Sequence, residues 1–294
     1  LILGYFDGVH LAHQEVIKEG IKIGKERRLK VALMTFNRHP SIVYRKLRDG
    51  RYANLTQPQQ KAKIVEKLGV DILYEVFFNS EFGNLPPQEF VDQYIVGWNA
   101  KVIVAGFDYT YGKPDIASME QLPEYADGRF EIVQVGEAKE SGKTISSTMI
   151  RQYIMNGEIE KANAMLGYYY ETTGFVIHGD ARGRELGYPT ANIYSHPYTL
   201  LPGIGIYAVW FSVKGKKYMG MASIGRNVTF KDNADITVEV NILDFSEEIY
   251  GDEVEIEWVA HLRGEVKFNN ADELIHQLDQ DELNTRKILT QDTK

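Results

Sequence analysis

The run Leu3-Gly4-Tyr5-Phe6-Asp7-Gly8-Val9-His10-Leu11-Ala12-His13-Gln14 decides the fold of the first half of the chain. An apolar, strand-like start at 1–3 passes through a double-glycine turn directly into a helical pattern at 14–27. A strand, a glycine turn and a helix start in that order make an anion site, because backbone N–H groups and the positive helix end face the same point. Two histidines three apart at this helix start can aim their imidazoles at a phosphate chain. A metal pair is the competing reading, and two ordinary helix histidines are the plain one. The position behind a strand and two glycines favours the anion site.

Outward from this motif, β-branched runs at 31–36, 72–77, 101–105 and 130–135 alternate with helical patterns at 58–68 and 87–96, each opened by a proline in its first turn. Strands separated by helical crossovers predict a doubly wound parallel sheet, whose ligands bind beyond the C-terminal strand ends. After two more helical stretches, 147–156 and 159–166, the period turns alternating at 174–178, 206–213, 218–223, 236–243 and 253–259. A small antiparallel barrel or sandwich is expected there, closed by a helix over 271–287. The change of period sets the expected boundary: 1–167 for the α/β domain and 168–294 for the β domain.

Composition removes several function classes. The absence of cysteine among 294 residues excludes disulfides, iron–sulfur clusters, thiolate zinc sites and a cysteine nucleophile. A net charge of −8 with scattered Lys and Arg lacks the basic stripe of nonspecific nucleic-acid binders, so no nucleic-acid partner is expected. No apolar run approaches the roughly 20 residues of a membrane span. A soluble, cytoplasmic protein acting on small molecules is expected, with self-association left open. Because Leu1 already lies inside a strand-like run, the natural start is expected upstream.

Three further motifs carry chemistry. In Ile145-Ser146-Ser147-Thr148-Met149-Ile150-Arg151, hydroxyls at a helix start can cap N–H groups or meet an anion that Arg151 neutralises; a plain N-cap with a solvated arginine is the alternative. The densest signal is Gly179-Asp180-Ala181-Arg182-Gly183-Arg184-Glu185-Leu186-Gly187-Tyr188-Pro189-Thr190-Ala191-Asn192. Its glycines and arginines suit close approach to a polyphosphate, and Thr190 and Asn192 offer neutral oxygens to a magnesium ion; a basic hairpin loop is the alternative. Glu239, on the alternating strand with Asn241, is either a solvated carboxylate or a base. Two look-alikes are set aside. The run 136–144 resembles a P-loop but has five residues between its glycines, where four are required, and reads as a polar surface loop. The run Gly203-Ile204-Gly205-Ile206-Tyr207-Ala208 matches a dinucleotide fingerprint in letters but leads into a strand. Asn54-Leu55-Thr56 fits only a glycosylation pattern.

Taken in order, the His10/His13 run, Thr35-Phe36-Asn37-Arg38-His39-Pro40, Gly106-Phe107-Asp108-Tyr109-Thr110-Tyr111-Gly112, the Ser146–Arg151 stretch and the Pro189-Thr190-Ala191-Asn192 loop resemble the prokaryotic bifunctional riboflavin kinase/FAD synthetases. The segment Val238-Glu239-Val240-Asn241-Ile242-Leu243-Asp244-Phe245 and the run Arg263-Gly264-Glu265-Val266-Lys267-Phe268 extend the resemblance to essentially the whole chain. It implies a Rossmann-like nucleotidyltransferase domain followed by a flavokinase barrel, with riboflavin, FMN and ATP as substrates, Mg2+ as cofactor and FMN and FAD as products. Glu239 is implied as the base, Thr190 and Asn192 as metal ligands, and His10 and His13 as charge stabilisers. Gly4, Phe6, Asp7, Gly8, Asp108, Ser146, Ser147, Thr148 and Arg151 are implied at the adenylyl site. Gly179, Arg182, Gly183, Arg184, Gly187, Pro189 and Arg263 are implied at the kinase site. Three positions depart from the family pattern: Ala12 replaces glycine, Asn241 stands where many members have histidine, and Val228 replaces proline. Alternatives are a riboflavin kinase with an impaired adenylyltransferase domain, or a flavin- or nucleotide-binding regulator without turnover.

Overall fold

Ile2–Leu3 forms β1, the central strand of a five-stranded parallel sheet. It pairs with β2 (Ala32–Phe36) on one side and β4 (Val102–Gly106) on the other, and β3 (Ile72–Val76) and β5 (Glu131–Val135) lie outside these. The order β3-β2-β1-β4-β5 reverses at β1/β4, so the turns after those two strands flank the switch-point crevice. This computed structural model describes residues 1–46, 53–137, 139–140, 143–179, 183, 186–226 and 236–292, in two compact units, Leu1–Ser147 and Thr148–Lys294.

Both faces of the sheet are covered, which is why its strands read as nearly continuous apolar runs. Ile2, Leu33 and Val104 point into one core with Val16, Ile17 and Ile21 of α1 (Leu11–Arg27) and Val65 of α3 (Pro58–Leu68). Leu3, Met34 and Ile103 point into the other, with Phe90, Val91 and Leu122. A buried side chain such as Ile17 contributes roughly 1.5–3 kcal/mol by its transfer from water. Short helices α2 (Ser41–Tyr44), α4 (Ser80–Gly83) and α6 (Leu122–Ala126) fill connections where no helix is expected from periodicity. The expected single helix at 87–96 is α5 (Pro87–Phe90) continuing as a π-helical turn, Val91–Val96, marked by the Gly97 N–H donating to Asp92 O at 2.8 Å. The 136–144 look-alike, expected as a loop, contains a small antiparallel pair, β6 (Lys139–Glu140) with β7 (Lys143–Thr144).

Helix α7 (Ser147–Met155) starts at the last residue of the first unit and runs into the second, which continues with α8 (Ile159–Leu166) and a closed six-stranded barrel. Its strands are β8 (Tyr170–Ile177), β9 (Ala191–Ser195), β10 (Gly205–Val213), β11 (Lys216–Arg226), β12 (Ile236–Ile242) and β13 (Glu253–Arg263), all antiparallel to their neighbours. Periodicity does not reveal β9, because its first residues belong to the motif read as a loop; the pairing Val238↔Ile193, Glu239↔Asn192, Val240↔Ala191 puts them in the sheet. The closing helix, Ala271–Asp292, lies against β10, β11 and β13, with Leu289 in its core.

Candidate active sites

The first site is built on the turn between β1 and α1. Gly8 takes a left-handed conformation (φ 81°), and Phe6 before it and Val9 after it also have positive φ (53° and 36°), which folds the turn tightly under the helix start. Gly4 lies beneath the Phe6 ring, whose nearest carbon would be 2.6 Å from an added Cβ. Asp7 is 3% exposed, and its Oδ1 accepts from Leu55 N–H at 2.9 Å and from Thr56 N–H at 3.4 Å. Thr56 Oγ1 in turn accepts from Gly8 N–H at 3.1 Å, and Ser147 Oγ donates to Asp7 O at 3.0 Å. Asp7 therefore braces the turn. The Asn54-Leu55-Thr56 run is its partner, a role the sequence pattern hides because it reads as a glycosylation signal.

His10 is the N-cap of α1, and its Nδ1 accepts from His13 N–H at 3.4 Å. Helix α1 accordingly starts at Leu11, three residues before the apolar periodicity does. The two imidazoles stack with centroids 3.6 Å apart and planes at 16°, and the Phe6 ring meets His13 edge-on at 5.3 Å. Burial pushes His10 down to about 4; burial first, then the charges of His10 and Lys61, push His13 well below its ordinary value. Both rings are thus neutral at pH 7. With Nδ1 of His10 accepting, its proton sits on Nε2, which makes that atom a donor. His13 Nδ1 is buried with no hydrogen-bond partner among the described residues. Across the switch point, Asp108 follows β4 and is exposed. Ser146 is half-buried ahead of α7; Thr148, exposed, and Arg151, half-buried, are on α7 in the second unit.

The second site lies in the barrel. A cavity of about 630 Å3 is lined by Thr190, Glu239, Asn241 and Arg263, with Leu274 and Leu278 from the closing helix. Thr190 Oγ1 donates to Glu239 Oε2 at 3.1 Å, and Asn192 is registered directly opposite Glu239. Gly179 packs closely against Asn192: a Cβ there would sit 2.0 Å from Asn192 Nδ2, so the Asn192 side chain would have to shift. Asn241 Nδ2 donates to Pro189 O at 2.7 Å, so the residue that departs from the family pattern holds the Pro-Thr-Ala-Asn backbone. Gly183 and Gly187 are described, whereas Arg182 and Arg184 lie outside the described residues. Arg263 forms a bidentate pair with the buried Asp281 of the closing helix, 2.7 Å from Nη2 and 3.1 Å from Nε to the two carboxylate oxygens, and Nη1 donates to Gly264 O. On the other wall, Tyr188 OH donates to Asp279 of the same helix. Sequence reading does not find Asp279 or Asp281, because acids on a helix look like its solvated face.

Two candidate sites on two unrelated folds define a two-module protein, and each module matches a family of phosphotransfer enzymes. The FAD synthetase family model matches residues 1–149, and the riboflavin kinase model matches 166–289. A bifunctional riboflavin kinase/FMN adenylyltransferase of Listeria monocytogenes is 50% identical over 286 residues, covering 97% of this chain and 91% of its own. The protein of that name from Bacillus subtilis is 44% identical, covering 96% and 89%. This chain belongs to the bifunctional riboflavin kinase/FMN adenylyltransferase family. A crystal structure described as a macrolide-efflux protein from Streptococcus pneumoniae has the same fold, with a TM-score of 0.90 at 40% identity over 97% of this chain and 93% of that one. Among the described residues here, no helix is long and apolar enough to cross a membrane.

Proposed function

We propose that the chain phosphorylates riboflavin to FMN in its barrel and joins FMN to AMP, giving FAD, in its α/β unit. The observation that carries the kinase step is the 3.1 Å contact between Thr190 Oγ1 and Glu239 Oε2 in the cavity between the barrel wall and the closing helix. In the first reaction the Glu239 carboxylate accepts the proton of the riboflavin 5′-hydroxyl as that oxygen attacks the γ-phosphorus of ATP, and ADP leaves. Thr190, Asn192 and the neighbouring carboxylate are an all-oxygen donor set of the kind a hard divalent cation takes, so Mg2+ fits here through Thr190 and Asn192. When bound, the ion neutralises phosphate charge. Asn241 keeps Thr190 in place through Pro189 O, and Arg263, fixed by Asp281, holds the wall that encloses the flavin.

In the second reaction an FMN phosphate oxygen attacks the α-phosphorus of ATP and pyrophosphate leaves, so no protein nucleophile is needed. His10 and His13 act as neutral imidazoles that donate hydrogen bonds to the charge developing on the phosphates. Ser147, bonded to Asp7 O, fixes the turn that presents them. Asp108, at the other side of the switch point, positions the nucleotide. Both substrates of the kinase step are metabolites of the cytoplasm, where we place the enzyme.

Chromatography of products tests this reading, with purified protein, Mg2+ and ATP incubated with riboflavin in one reaction and with FMN in another. FMN followed by FAD in the first, and FAD in the second, are expected. FMN alone in the first with nothing in the second means a kinase with a silent first unit, and no product in either means a binding protein.

A further inference from the structure

Lys61 is a charged side chain that neither reaction above uses, yet it is buried (3% exposed) at the foot of the adenylyl site. It sits on α3 at a core-facing position, one turn before Val65, where an apolar residue is expected. Its Nζ donates to Tyr5 O at 2.7 Å and to Thr35 Oγ1 at 3.0 Å, and lies 4.2 Å from the Tyr5 ring centroid. Thr35 Oγ1 also donates to Tyr5 O at 2.7 Å, so the ammonium and the hydroxyl close a triangle on one carbonyl. That carbonyl belongs to the turn that carries Gly8 and His10. One cation thus ties the end of β2 to the β1–α1 turn.

Burial of this kind costs stability. Lys61 is pushed down to about 8 by desolvation, with Asp7 and Glu75 offsetting part of it. Burial first, then His10, and after them this ammonium hold His13 down. The groups acting on this pair are therefore His10 from α1, Asp7 from the turn and Glu75 from β3.

We propose that Lys61 is a positioning residue for adenylyl transfer: through Tyr5 O and Thr35 Oγ1 it fixes the turn bearing His10 and His13. The assignment rests on the proposed adenylyl site, and the effect of the Lys61 charge on His13 is read apart from turnover. Positioning errors near 1 Å cost about 100-fold in rate.

Two variants separate charge from shape. Lys61→Gln keeps an N–H donor without the charge, and Lys61→Arg keeps the charge. FMN adenylylation is measured against pH for both, normalised to the riboflavin kinase rate of the same preparation, and the His13 ring is titrated by NMR in the same samples. For Lys61→Gln, kcat is expected to fall about 100-fold, the acid limb of the profile to move to higher pH, and the His13 titration to move up with it. For Lys61→Arg, the limb and the His13 titration are expected to stay in place. Wild-type rate and an unmoved limb in Lys61→Gln overturn the assignment. So do equal losses in both variants with unmoved His13 titrations, which mark a merely structural residue. If the wild-type protein makes no FAD, the adenylyl reading fails by itself, and the His13 titration still decides whether Lys61 acts on that ring.

Discussion

Thr190 and Glu239 are 49 residues apart in sequence, yet the Thr190 hydroxyl donates to the Glu239 carboxylate at 3.1 Å, because β9 and β12 pair with Asn192 opposite Glu239. A proton acceptor on β12 and a metal-competent oxygen on the residue just before β9 are thereby held at one pair of adjacent strands, which leaves little freedom for either to drift.

Glu239→Gln is nearly isosteric and retains an acceptor for the Thr190 hydroxyl, so the barrel is expected to stay folded. FMN production from riboflavin is expected to fall about 100- to 10,000-fold, the usual worth of a general base, while ATP binding persists. Product chromatography from riboflavin, with FAD formation from supplied FMN as control, checks it. Full kinase activity in the variant refutes the assigned base.

Asp281, 2% exposed, faces Arg263 across the cavity wall. Asp281→Ala leaves the guanidinium half-buried without its carboxylate and is expected to destabilise the second unit by about 3–5 kcal/mol and to raise the KM for riboflavin. Replacing both partners by apolar residues is expected to recover the stability but not the KM. Urea unfolding beside steady-state kinetics reads both.

The first unit is expected to lose stability in acid. His10 has its folded value near 4, below the ordinary 6.5, so the unfolded chain binds the extra proton first. Its contribution is complete above pH 6.5 and disappears progressively down to about pH 4; at ~1.4 kcal/mol per pH unit it amounts to about 3 kcal/mol. His10→Asn keeps a capping acceptor that does not titrate. Urea midpoints at pH 7 and pH 4.5 should differ less in that variant than in the wild type, and an equal difference rules out His10 as the source.

Ala12 occupies the first turn of α1 between the two histidines. Ala12→Gly removes a methyl group beside the phosphate path at a cost of about 0.5–1 kcal/mol in helix stability. A severalfold faster FMN adenylylation is expected, measured as initial FAD formation at saturating ATP. An unchanged rate shows that the methyl group does not crowd the nucleotide.

Much of this protein is legible in one dimension because local rules set it. The strand–glycine–helix run at 3–14, the prolines opening α3 and α5, and the alternation of 236–242 follow from periodicity and backbone sterics alone. The family resemblance of the motifs implies the substrates, whereas their spacing by itself points only to anion sites. The π-helical turn at Val91–Val96 and the strand β9 escape, the first because it shares the helical apolar pattern, the second because its residues carry the binding motif.

The sequence by itself determined which residue types are available at each site and, outside the Pro189–Asn192 motif, on which kind of element most of them stand, because spacing and turn chemistry act within a few residues. Only the tertiary structure decided that Asp7 braces Leu55 and Thr56, that Asp281 fixes Arg263, that Asn241 holds Pro189 and that a buried Lys61 underlies the histidines. Each of those contacts joins segments separated by between 18 and 56 positions. Their strength comes from exclusion of water, a property of the packed chain that no stretch of sequence carries alone.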